Sequence, residues 1–154
     1  MEADRFELFT AAVAQITKSI NQIKNAEMAP FHLRGNHVMC LFYLRQGGGL
    51  TAARLSEAIE LDKGAVSRLL SELEQQGCIA FSDAGQKRRY RTAITLTEKG
   101  MEITDSIAEQ IAEAVNRAGE GFTEAERQTF YKVLLIISEN LKNYAAHKDN
   151  PEQM

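Results

Sequence analysis

The residues best equipped for chemistry lie between Leu61 and Gly100. Four of the five residues 87–91 are basic, namely Lys87, Arg88, Arg89 and Arg91. They stand at the tip of a glycine-bearing loop between two short apolar runs. Like charges crowded into a tight hairpin repel one another, a cost that is offset if a polyanion's phosphates neutralise them on binding. One of them, Arg89, is placed to enter a narrow minor groove, where the negative potential of DNA is deepest. Upstream, Val66, Leu69, Leu70 and Leu73 fall at helical spacing, which turns Gly64, Ser67, Arg68, Ser71 and Gln75 to the opposite face. That outer face is small and carries one arginine, which suits close approach to base edges. Arg68 can pair with a guanine or a phosphate, and Ser67 can donate to either. The plain alternatives are a solvated Arg68, or one tied to Asp83, and a basic loop that only solubilises. Surface arginines are common, so the crowding of charge in the hairpin is the stronger signal.

Other chemistries lack their residues. No Ser/His/Asp or Cys/His grouping is present, and Gly47–Gly49 is not followed by the Lys-Ser/Thr of a phosphate loop. Cys40 and Cys78 are the only cysteines, without a CxxC pattern, and His32, His37 and His147 are scattered. This spacing forms neither a disulfide framework nor a zinc site. We therefore expect no catalysis, no cofactor and no metal.

With 154 residues, 44% hydrophobic and 25% charged, the composition is that of a globular chain with one good core, or a small core completed by a partner. No apolar run approaches the roughly 20 residues of a membrane span. The start, MEADRFELF, lacks the basic and apolar regions of a signal peptide, so a cytoplasmic location is expected. The net charge of −3 seems to oppose nucleic acid until it is mapped. Residues 1–50 carry five Lys/Arg against four Asp/Glu, residues 51–100 eight against seven, and residues 101–154 five against ten. The acidity sits in the last third, and the basic focus stays in the middle.

The elements that must hold these residues follow from periodicity. Phe6, Phe9, Val13, Ile16, Ile20 and Ile23 are spaced three, four, three, four, three, a heptad seam on a long helix. Residues 25–34, containing Pro30, should end it. A helix over about 36–45 is apolar nearly all round and belongs inside. Thr51 is placed to cap a short helix over 52–59, and Asp62 to cap the next over 63–76, with Gly77 as its left-handed stop. These two make a helix-turn-helix, and two short strands around the basic loop follow it. Thr97 caps a helix over 98–117 bearing Ile103, Ile107, Ile111 and Val115. Thr123 and Glu126 form the capping box of a last helix with the seam Phe130, Leu134, Ile137, Leu141 and Tyr144.

This order resembles the MarR family of winged helix-turn-helix transcriptional regulators, from Phe6 to Tyr144. The resemblance is carried by SRLLSELEQQGCI at Ser67 to Ile79 and LTEKG at Leu96 to Gly100, spaced around a basic loop. It implies a recognition helix with Lys63, Ser67 and Arg68 in the major groove, Arg89 as the wing arginine, and terminal helices that form a dimer. It also implies sensitivity to a small aromatic effector or to cysteine oxidation. A pocket for such an effector is expected near Phe31, His37, Cys40, Phe42 and Tyr43. Cys40 and Cys78 have no Lys or Arg within four positions to acidify a thiol. One departure stands out: the family's wing reads Asp-Arg-Arg where this chain has Arg88, Arg89 and Tyr90, so the usual orienting aspartate is missing.

The expected fold is mainly α with a small β-hairpin wing, a winged helix-turn-helix with long terminal dimerisation helices. Residues 1–34 would be the N-terminal dimerisation helix and linker, 35–97 the DNA-binding lobe, and 98–154 the C-terminal dimerisation helices of one intertwined domain. The expected function is a homodimeric, sequence-specific regulator, a repressor released by a small molecule, reading a near-palindromic double-stranded operator. Its expected DNA contacts are Thr51, Lys63, Gly64, Ser67, Arg68, Ser71, Lys87, Arg88, Arg89 and Arg91. The alternative is an interaction module of the same fold that no longer reads DNA.

Overall fold

Proline, glycine and four side-chain caps set the boundaries in the computed structural model, which describes residues 2–82 and 92–149. Helix α1 spans Glu2–Met28, ending inside the stretch 25–34 expected to stop it. It gives way to a 3-10 turn over Ala29–Phe31 that contains Pro30, because the proline has no N–H to continue the ladder. Helix α2, His37–Gly47, buries His37, Val38, Cys40, Leu41 and Leu44, in keeping with its apolar circumference. After Gly48 and Gly49, both with positive φ, Leu50 exchanges backbone bonds with Ile94. This extra β-bridge was not foreseen, since one residue between a glycine run and a cap carries no strand periodicity.

The caps fall where the residue types place them. Thr51 accepts a bond from the N–H of Arg54 at the start of α3, Ala52–Ile59. Asp62 accepts one from Ala65 at the start of α4, Lys63–Gln75. Between them Glu60 takes a left-handed φ of 53°, and the Ser56 hydroxyl donates to the Leu61 carbonyl at 2.6 Å, stapling the turn. Gly77, at φ 71°, ends α4: its N–H reaches the Glu74 carbonyl, and the N–H of Cys78 reaches that of Leu73. These two bonds satisfy carbonyls that the helix end would otherwise orphan.

Strands β1, Ile79–Phe81, and β2, Ile94–Leu96, pair antiparallel with Ile79 opposite Leu96. The basic tip, Lys87, Arg88, Arg89 and Arg91, lies outside the described residues, as does Asp83. Helix α5 spans Glu98–Ala118 and α6 spans Glu124–Asp149. At the head of α6 the Thr123 and Glu126 capping box forms reciprocally, Glu126 accepting from the Thr123 N–H at 2.8 Å and Thr123 from the Glu126 N–H at 3.3 Å.

One apolar cluster joins Met28 of α1, Leu41 and Leu44 of α2, Leu55 of α3, Val66, Leu69, Leu70 and Leu73 of α4, Ile79, Ile94, and Ile103 and Ile107 of α5. The first turns of α5 thus belong to the same core as the helix-turn-helix, whereas Val115 near its end is exposed. The chain divides after Glu113 into two compact units. In the second, Phe130, Tyr131, Val133, Leu134, Leu135, Ile136, Leu141 and Tyr144 of α6 are all exposed. In the first, the α1 seam from Phe6 to Ile23 is exposed as well.

Candidate nucleic-acid interface

Helix α4 divides by face. Val66 and Leu73 are fully buried and Leu69 and Leu70 nearly so, which leaves Lys63, Gly64, Ser67, Arg68 and Ser71 exposed together. Burying four aliphatic side chains contributes about 1.5–3 kcal/mol each relative to exposure, so the outer face is held on a helix that cannot roll. A Cβ on Gly64 would come within 3.1 Å of the Asp62 carboxylate and 3.7 Å of the Arg68 guanidinium. The absent side chain leaves room for Arg68 to lie back over the first turn. Thr51 is half-buried, and its hydroxyl is engaged in capping α3.

LTEKG is structural rather than a contact surface. The Thr97 hydroxyl donates to the Gly77 carbonyl at 2.7 Å and accepts from the Gly100 N–H at 3.1 Å. The Lys99 ammonium reaches the Gln76 carbonyl at 2.5 Å, putting a cation at the negative end of α4. The motif bolts α5 to the end of the candidate recognition helix and to the root of the wing.

A polar cluster lies at the edge of this face, around Glu72, one turn beyond Arg68. Glu72 is paired with the Arg34 guanidinium at 2.5 Å, and its second oxygen stands 2.9 Å from Nε2 of His37. The latter approach is out of line for a full hydrogen bond, so it acts through charge more than direction. Nδ1 of His37 stands 3.0 Å from both the N–H and the carbonyl oxygen of Arg34, so it accepts from the one when unprotonated and donates to the other when protonated. The Arg34 bond holds the Glu72 carboxyl below its usual range. Burial holds His37 below its ordinary 6.5, outweighing the opposing pull of its Arg34 backbone bond and of Glu72.

These shifts make a pH prediction. The unfolded chain protonates His37 near 6.5, and the folded chain resists until a lower pH. The fold therefore loses stability as pH drops below about 6.5, and the loss levels off once the folded value is passed. Glu72 adds a second loss as pH falls from its unfolded value through its depressed folded one. The melting midpoint should fall between pH 7.5 and pH 5.5, and His37→Leu should remove most of that fall; an identical fall in the variant would refute the assignment.

The expected effector residues are not gathered in one opening. His37 and Cys40 are 0% exposed, so neither lines a pocket in this structure; their place in the apolar sequence of α2 put them in the core. Phe31 and Tyr43 pack half-buried against that core. An open groove of about 450 Å³ is lined instead by Phe42, Arg45, Gln46 and Ala108, with Arg45 paired to Asp105 at 2.8 Å. Burial pushes the Cys40 thiol up to about 12 and also raises that of Cys78, against a smaller lowering by Lys99. Both remain protonated thiols at neutral pH. Among the described residues no His, Cys, Asp or Glu group is arranged to hold a metal, and no helix is long and apolar enough to cross a membrane. Sequence reasoning missed Arg34 and Glu72, which stand 38 residues apart and share no periodic signal.

Comparison with known proteins agrees with this geometry. Residues 33–89 match the sequence model of the MarR family. YwhA of Bacillus subtilis, described as an uncharacterised HTH-type transcriptional regulator, is 26% identical over 141 residues, covering 90% of this chain and all of the relative. A MarR transcriptional regulator from Methanosarcina mazei superposes with a TM-score of 0.77 at 20% identity, over 90% of this chain and 92% of that one. MepR of S. aureus, in a DNA complex, superposes with a TM-score of 0.75 at 22% identity, over 86% and 97% of the two chains. The capped helix-turn-helix, the paired strands behind it and the sequence match over the same segment carry one conclusion: residues 33–89 are similar to the MarR family, and the chain shares the fold of the MarR transcriptional regulators on which it superposes.

Proposed function

We propose that the chain is a homodimeric, sequence-specific DNA-binding regulator, a repressor released by a small aromatic effector. The observation that carries this reading is the outer face of α4, where Lys63, Gly64, Ser67, Arg68 and Ser71 stand exposed on a helix locked by its buried face. Small donors and one arginine allow base edges to approach. Thr51 at the head of α3 and the cations Lys87, Arg88, Arg89 and Arg91 would add phosphate contacts. That MepR, of like fold, was crystallised with DNA supports the same use here. The cytoplasm, where DNA is reached, is the compartment this reading requires. The open groove beside Phe42 and Arg45 is where we place an aromatic effector, in preference to the buried His37 and Cys40.

Dimerisation is supported by apolar surface that one chain leaves to water. The α1 seam and most of the apolar residues of α6 are exposed, Leu135 at 70%. Patches of this extent mark association surfaces, and a two-fold would set two α4 helices against half-sites about one helical turn apart. Residues 1–34 and 98–154 would then form one intertwined assembly with the lobe 35–97 between them. Ile16→Glu combined with Leu134→Glu should shift sedimentation from twice the chain's mass to its single mass, with DNA affinity lost in parallel. A doubly substituted chain that still sediments as a dimer would rule these seams out.

The functional reading is tested by titrating the protein against its own upstream DNA and against random duplex at several salt concentrations. Tighter binding to the former is expected; binding that is absent, or equal on both, overturns the regulator.

A further inference from the structure

A continuous polar path runs from helix α1 to the candidate recognition helix. Asn25 of α1 accepts the Gly35 N–H at 2.7 Å, and a Cβ on Gly35 would meet Lys24 Cβ at 2.8 Å, so the linker is seated directly on α1. The neighbouring Arg34 grips Glu72 through its guanidinium, and its N–H holds the buried His37 ring, whose Nε2 faces the same carboxylate. Glu72 sits on α4 between the buried Leu69 and Leu73, one residue after the exposed Ser71. Its side chain is 37% exposed while the imidazole beside it is wholly buried. A buried ring aimed at a carboxylate on another helix is costly to arrange for stability alone.

We propose that Arg34, His37 and Glu72 form a positioning strut by which α1 sets the pose of α4 on DNA. Glu72 is the joint: one oxygen takes the guanidinium, the other faces the imidazole. Base-edge readout needs the helix placed within a fraction of an ångström, whereas phosphate attraction does not. Loss of the strut therefore weakens specific binding selectively. The proposal rests on the regulatory reading above.

Its test exploits a conflict of signs. Glu72→Gln removes a negative charge from the DNA-binding lobe, so electrostatics alone would tighten binding to every duplex. The strut requires the opposite on a specific site. The probes are a duplex selected from a random library by the wild-type protein and an unselected duplex of the same length. Glu72→Gln should bind the selected duplex about tenfold more weakly, with no loss on the unselected one. Glu72→Asp keeps the charge but falls short of both partners, and should lose comparably. Arg34→Ala with Glu72→Gln should be no worse than the weaker single variant, because both break one linkage. Melting midpoints, measured alongside, convert any loss of folded protein into a corrected affinity. Selected-duplex binding by Glu72→Gln at or above the wild-type level, wild-type binding by Glu72→Asp, or additive losses in the double variant would each overturn the strut. If the wild-type protein selects no duplex at all, the regulatory reading fails first and takes the strut with it.

Discussion

Gly100→Ala should break the close packing of α5 against the backbone at Cys78. A Cβ built on Gly100 would lie 2.0 Å from the Cys78 carbonyl oxygen, 2.9 Å from its carbon and 3.2 Å from its Cα. The obstacle is backbone, so no side-chain rotation relieves it, and that same carbonyl accepts the Thr97 N–H at 3.0 Å. Moving α5 away would strain the Thr97 bond to Gly77 and the Lys99 bond to Gln76. It would also open the core at Ile103 and Ile107. Overpacking typically costs 1–3 kcal/mol; with backbone on the other side we expect about 3 kcal/mol or more, against a total of roughly 5–15 kcal/mol for a domain. Helix propensity alone predicts the reverse sign, since alanine is favoured over glycine inside a helix by about 1 kcal/mol. Urea unfolding of the two proteins decides between them: a midpoint equal to or above wild type would mean that the close approach of α5 to β1 is not as described.

Replacing Lys87, Arg88, Arg89 and Arg91 together by Gln should flatten the salt dependence of DNA binding and leave the state of assembly unchanged. Each phosphate contact contributes about 0.9 to the slope of log affinity against log salt. Four lost contacts therefore remove up to about 3.6. Over a fourfold rise in salt the wild-type protein should lose on the order of a hundredfold more affinity than the variant. Sedimentation and melting should be unchanged, because charged side chains crowded into so short a stretch stay in water rather than build a core. An unaltered slope would show that the tip touches no phosphate. Unaltered binding and assembly together would favour an interaction module that keeps the fold without the DNA. Arg88, standing where the family usually has aspartate, is one of the four, so the wing is more cationic than the pattern it departs from.

What the amino-acid sequence determined by itself is what depends on neighbours within about four residues. Thr51, Asp62 and the Thr123 and Glu126 pair cap helices where their types and spacing placed them. Gly77 takes the left-handed turn its position demanded, and the face of α4 left exposed follows from the period of Val66, Leu69, Leu70 and Leu73. Side-chain caps and helical periodicity are local, so the chain states them in order. Only the tertiary structure decided which apolar stretches meet and which polar groups are trapped between them. It sank His37 and Cys40 into the core instead of a pocket, paired Leu50 with Ile94, and turned LTEKG into a bolt across α4, β1 and α5. It also joined Arg34 to Glu72. Each of these contacts spans from about 20 to more than 40 residues, and its energy comes from closing a loop around a shared core, a quantity no local pattern encodes.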